Sequence, residues 1–192
     1  PLPVLSKERP HANIFCWYFV LSILGQISAH LTLLVYAVDT AKSYMPKGAE
    51  SEEVDAAFSP NIVNTVSYIV NLHIVMTTFA VNYVGRPFNQ PILQNRPMIF
   101  TLLGVFASIA AILTGNGEPL EDMLDLVPVP EAFRSSLLGL LAVDFVIATF
   151  MENIMRFLFP SRPNTRLLAL HLPKGGEGGR SLSVKTESKK TK

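Results

Sequence analysis

The chain has 192 residues, of which 49% are hydrophobic and 16% charged, against about a quarter charged in an average soluble domain. The charges stand in short blocks between stretches that have almost none, so these stretches are apolar nearly all round. That excludes a soluble core built on alternating faces and is what lipid requires. The formal net charge of +1 carries little information. The one cysteine, Cys16, excludes an internal disulfide framework and a thiolate metal cluster, and reads as a small buried hydrophobe.

Residues 1–12 form a lead-in with Lys7, Glu8 and Arg9. It has no apolar signal-peptide core, and a chain opening on Pro1 reads as starting within a longer protein that supplies the targeting. The first span, 13–38, holds no Asp, Glu, Lys or Arg. As a helix it reaches roughly 39 Å, enough to cross a hydrocarbon core of about 30 Å with some tilt. Trp17, Tyr18 and Tyr36 near its ends suit the membrane interface. A polar loop, 39–60, follows. The second span, 61–84, starts after Pro60 and carries Asn64, Asn71, His73 and Asn82 but no formal charge. Loop 85–97 brings Arg86, Arg96 and three prolines, which stop helix propagation.

The third span, 98–115, has an apolar run of only about 24 Å, short for a full crossing. Gly104, Ala107, Ser108, Ala110 and Ala111 allow close helix approach. After the acidic loop 116–131 comes the fourth span, 133–159, with Arg134, Glu152 and Arg156 toward its ends and Asp144 near its middle. Residues 161–192 form a basic tail expected to be disordered and cytosolic, with a linker-like glycine run at Gly175–Gly179. The fold class is therefore an all-α membrane protein with four transmembrane helices in a domain at 13–160.

Basic residues in short loops stay on the cytoplasmic side. Lys7 and Arg9, then Arg86 and Arg96, then Arg156 and the tail mark one side. Lys42, Lys47 and Arg134 on the other side are outnumbered by acids. The alternation predicts that both ends are cytosolic.

Asp144 is the most informative residue. A carboxylate at mid-membrane costs about 2.5–3.5 kcal/mol on insertion scales, so it faces the bundle interior with a partner or is protonated. It is either a transport-pathway residue or a buried carboxylate bonded to a neighbouring helix. Gln26 and His30 are four apart and share a helix face, whereas Asn71 and His73 do not; all four are candidates for interhelical bonding or the transport path. His30, His73 and Asp144 lie on three spans without ligand spacing, so no metal site is expected. There is no phosphate-binding glycine loop and no nucleophile–base constellation, hence no catalytic residue, cofactor or nucleic-acid partner in this chain. Lys189 and Lys190, fourth and third from the end, fit a dilysine retrieval signal, an address read by a receptor, or an ordinary basic tail near anionic lipid.

Five stretches carry a family resemblance: SKERPHANIF at 6–15, FSPNIVNTVSYI at 58–69, FAVNYVGRPF at 79–88, VPVPEAF at 127–133 and LLAVDF at 140–145. Over about 3–160 the chain resembles the last four membrane helices of type V, subgroup A, P-type ATPases. The resemblance implies an ATP-driven parent of the endoplasmic reticulum membrane, using ATP and Mg, that extracts mistargeted transmembrane helices and under an older view transports cations. Its phosphorylated Asp, nucleotide domain and earlier helices would lie upstream, so the four spans would buttress the transport core. Their partners would be the lipid bilayer, the remaining helices and the cytosolic domains. The resemblance gives Asp144 no role, but it strengthens the retrieval-signal reading through the shared compartment. The alternatives are an independent four-span adaptor or small channel without enzymatic activity, and a truncated product of the same ancestor.

Overall fold

A computed structural model describes residues 14–46, 59–86 and 89–160. The lead-in, most of the first polar loop and the tail with Lys189 and Lys190 lie outside the described residues. Among the described residues there are four long helices and no strand: α1 Trp17–Lys42, α2 Ile62–Asn82, α3 Arg96–Leu113 and, after the short α4 Glu118–Met123, α5 Glu131–Leu158. Each long helix is long and apolar enough to cross a membrane.

Local chemistry sets the ends. The Asn61 side chain accepts from the Asn64 backbone N–H at 2.9 Å and caps α2. Asn95 caps α3 in the same way, accepting from Met98 N–H at 3.4 Å, with Pro97 in the first turn, where a missing N–H is harmless. α5 carries Glu131 in its first turn and Arg156 in its last, matching the helix dipole. α1 runs past the expected end at 38 to Lys42, so Asp39 lies on helix rather than loop. α3 gains Arg96 and Pro97 at its start and reaches about 27 Å, closer to a full crossing. The acidic loop contains α4, which its sequence did not announce. Cys16 is half-buried at the α1 start rather than in the core.

α1 packs chiefly on α5 and α2, α2 and α5 also touch, and α3 lies against α2 and α5. Partner pairs give the directions. α1 meets α5 through Tyr18 with Glu152 and His30 with Asp144, so the two are antiparallel; α2 meets α5 through His73 with Asp144 and Val81 with Arg156, so those two are parallel. The three-helix interface has two zones. Toward the Lys42 end it is apolar, with Leu33, Ala37, Ile69, Val70, Leu137 and Leu141 in one core cluster. Val129 and Phe133 close that end, and Phe133 stacks on Tyr44 at 5.7 Å between ring centroids. Toward the Trp17 end the interface is polar. The outer faces are apolar, with Ile23, Ile27 and Leu31 on α1, Phe100 and Leu103 on α3, and Val146 and Phe150 on α5 all exposed, as lipid or further membrane helices require.

Candidate functional site

One face of α1 carries Tyr18, Ser22, Gln26 and His30 at four-residue steps, all buried. Such spacing stacks side chains on one side of a helix. Across from it, α5 supplies Asp144 and Glu152, two turns apart and both buried. α2 adds His73 and Thr77, with Asn82 at its end. In hydrocarbon, polar groups must find partners within the protein, and these residues form two bonded layers.

The inner layer centres on Asp144. His30 Nδ1 lies 2.9 Å from Oδ1 and 2.9 Å from Oδ2 and donates to the carboxylate. His73 Nε2 donates to Oδ2 at 3.1 Å, and Thr77 Oγ1 stands 3.3 Å from the same nitrogen. Phe106 of α3 meets His73 edge-on and Phe145 edge-on, at centroid distances of 6.0 and 5.9 Å, walling the layer on that side. His30 Nε2 is buried and has no hydrogen-bond partner among the described residues.

The outer layer centres on Glu152. Tyr18 OH donates to Oε1, Ser22 Oγ donates to Oε2 at 2.6 Å, and Arg156 Nε donates to Oε1 at 2.9 Å. Gln26 Nε2 donates to Ser22 Oγ at 2.9 Å. Gln26 and Asn82 also exchange two amide bonds, at 3.1 and 2.9 Å. Arg156 Nη2 reaches Val81 O at 3.3 Å, tying α5 to the end of α2. The Arg156 side chain is 42% exposed while Glu152 is 5% exposed, so the pair bridges the bundle interior and its surface.

Of the residues singled out from sequence, His30, His73 and Asp144 come together, and Gln26 joins the outer layer. Asn71 faces outward and donates to Ser67 O of its own helix at 2.8 Å. Sequence reasoning placed Tyr18 with the interfacial rings. Trp17 and Tyr36 are indeed exposed, but Tyr18 is buried on Glu152 because it starts the polar stripe one turn before Ser22. Ser22, Thr77, Asn82 and the inward aim of Glu152 were also missed. The four-residue spacing along α1 was the available signal. Among the described residues, no group of three His, Cys, Asp or Glu side chains is arranged to hold a metal ion.

The geometry defines a membrane-helix module cross-linked by buried polar bonds, a class in which helices position one another. No family model matches the chain. It is 43% identical over 162 residues to the probable manganese-transporting ATPase PDR2 of Arabidopsis thaliana, covering 84% of this chain and 14% of that protein. It is 36% identical over 160 residues to the endoplasmic reticulum transmembrane helix translocase of Schizosaccharomyces pombe, covering 83% and 13%. To the translocase of that name from Saccharomyces cerevisiae it is 34% identical over 159 residues, again covering 83% and 13%. The chain belongs to the type V P-type ATPases through homology to their C-terminal region. It spans 13–14% of the length of these curated relatives.

Proposed function

We propose that the four helices are the C-terminal membrane support domain of an ATP-driven type V P-type ATPase at the endoplasmic reticulum membrane. That parent extracts or translocates transmembrane helices, with ATP and Mg acting in domains that this chain does not supply. The observation carrying the reading is the similarity over 83% of the chain to relatives named as transmembrane helix translocases. The bonding pattern supports a buttressing role, since Asp144 and Glu152 join three helices through side chains that bond one another. Both ends face the cytosol in this reading, which rests on the alternating Lys and Arg blocks. The polar half of the interface then lies on the cytosolic side, and the apolar core with α4 on the lumenal side.

The test is Asp144→Ala in the full-length protein. It should lower substrate-stimulated ATP hydrolysis together with thermal stability, because His30 and His73 lose their shared acceptor. Normal hydrolysis with normal stability would refute the support role. Tags on the two ends, probed in sealed microsomes, should both be reached from the cytosolic face.

A further inference from the structure

Two carboxylates are buried in the same helix interface, and their charges are met differently. Glu152 has a permanent counter-ion in Arg156 at 2.9 Å. Among the described residues, no Lys or Arg pairs with Asp144. What faces it is His30 from α1 and His73 from α2, while α3 presents Phe106; Arg96, the one titratable residue of α3, sits at its first position. Along α5 the next charged group is Glu152, which is already matched by Arg156.

In a low-dielectric interior, an ionised carboxylate without a counter-charge is strongly disfavoured. Two neutral imidazoles donating to Asp144 leave a net charge of −1. Two imidazolium rings leave +1. One proton beyond the two donated N–H groups makes the set neutral, either as one imidazolium beside the carboxylate or as a protonated acid between two neutral rings. Imidazole is the side chain that gains or loses such a proton near neutral pH. His30 Nε2 is buried and unpartnered among the described residues, so a nitrogen is left over to receive it. Toward the Lys42 end the layer's neighbours Leu33, Ile69, Val70, Leu137 and Leu141 are apolar, and the cavity between α1 and α5 that Asp144 borders is lined mostly by apolar side chains such as Leu33, Leu140, Val143 and Ile147. Toward the Trp17 end, Gln26 stands one turn from His30 and begins the bonded series through Ser22 to Glu152 and half-exposed Arg156.

We propose that His30, Asp144 and His73 form a membrane-embedded binding site for one exchangeable proton, shared among the three side chains and reached from the Trp17 end. Under the family reading, the parent ATPase carries this proton-binding site in its C-terminal helices. The inference does not rest on the family reading, and its failure would leave that reading intact.

Infrared difference spectra of the full-length protein in lipid, taken between about pH 5 and pH 8, test it. In the wild type, either one histidine's worth of imidazolium signal or a protonated-acid carbonyl band should be present at neutral pH, and that signal should vanish in Asp144→Asn. The double variant His30→Asn, His73→Gln keeps an N–H donor near each original nitrogen position but removes both bases. In it Asp144 should take the proton itself, giving a protonated-acid carbonyl band that persists above neutral pH. A wild type showing neither signal at neutral pH, or an imidazolium signal that persists unchanged in Asp144→Asn, would overturn the proposal, as would a double variant lacking the carbonyl band. If Asp144→Asn fails to fold, the double variant alone decides. For access, Gln26→Leu should slow hydrogen–deuterium exchange at the site severalfold, and an unchanged rate would overturn the Trp17-end route.

Discussion

Gln26 of α1 and Asn82 of α2 hold each other by two reciprocal amide bonds, although 56 positions separate them in the chain. The pair fixes the register of two antiparallel helices at one end of the bundle. Interhelical polar bonds in membrane proteins contribute about 0.6 kcal/mol on average and up to about 1.7. Gln26→Leu and Asn82→Leu should each destabilise the full-length protein. A double-mutant cycle on denaturant unfolding should give a coupling of about 1 kcal/mol, and purely additive effects would contradict the paired geometry.

Glu152 and Arg156 should respond unequally. Arg156→Met strands a carboxylate that is 5% exposed, whereas Glu152→Gln leaves an arginine that is 42% exposed and able to turn to water. The arginine change should therefore be the more damaging, by about 1–3 kcal/mol. Equal loss of thermal stability in the two variants would count against the burial assigned to Glu152.

Gly25 sits where α1 passes α5. A Cβ placed there would overlap Met151 Cε, the tip of a flexible side chain. Gly25→Ala should be absorbed by a rotamer change of Met151, at about 1 kcal/mol or less. Gly25→Leu should separate the helices and lower the melting temperature, and adding Met151→Ala should restore part of the loss. No rescue would mean that Met151 is not the neighbour that matters.

Two other glycines should behave oppositely. A Cβ on Gly117 would stand 2.6 Å from Ile112 Cα and 2.7 Å from Ile112 N, where backbone cannot yield. Gly117→Ala should cost about 1–3 kcal/mol by displacing the α3–α4 turn. At Gly104 a Cβ meets none of the described residues within 4 Å, so Gly104→Ala should be neutral or stabilise by about 0.5–1 kcal/mol. Comparing the two melting temperatures checks both.

The four helices were legible because each apolar run is long enough to be forced into helix by lipid, whatever it packs against. α4 was not legible, since six residues that follow Gly117 and include Pro119 carry no helical period of their own. The end of α1 was misjudged because Asp39 and Lys42 look like loop residues, yet a helix leaving the membrane can keep charged residues on its last turn. His30, His73 and Asp144 were visible one at a time as polar residues that must be satisfied. That they satisfy each other was hidden, because 114 and 71 positions separate the histidines from the aspartate.

The order of residues by itself determined that this chain lives in a membrane as four helices, because the free energy of placing an apolar run in lipid depends on that run alone. Tertiary structure decided which polar groups meet: Glu152 with Tyr18, Ser22 and Arg156, and Asp144 with two imidazoles. A hydrogen bond requires two atoms within about 3 Å, and only the packing of α1, α2 and α5 against one another brings these atoms that close.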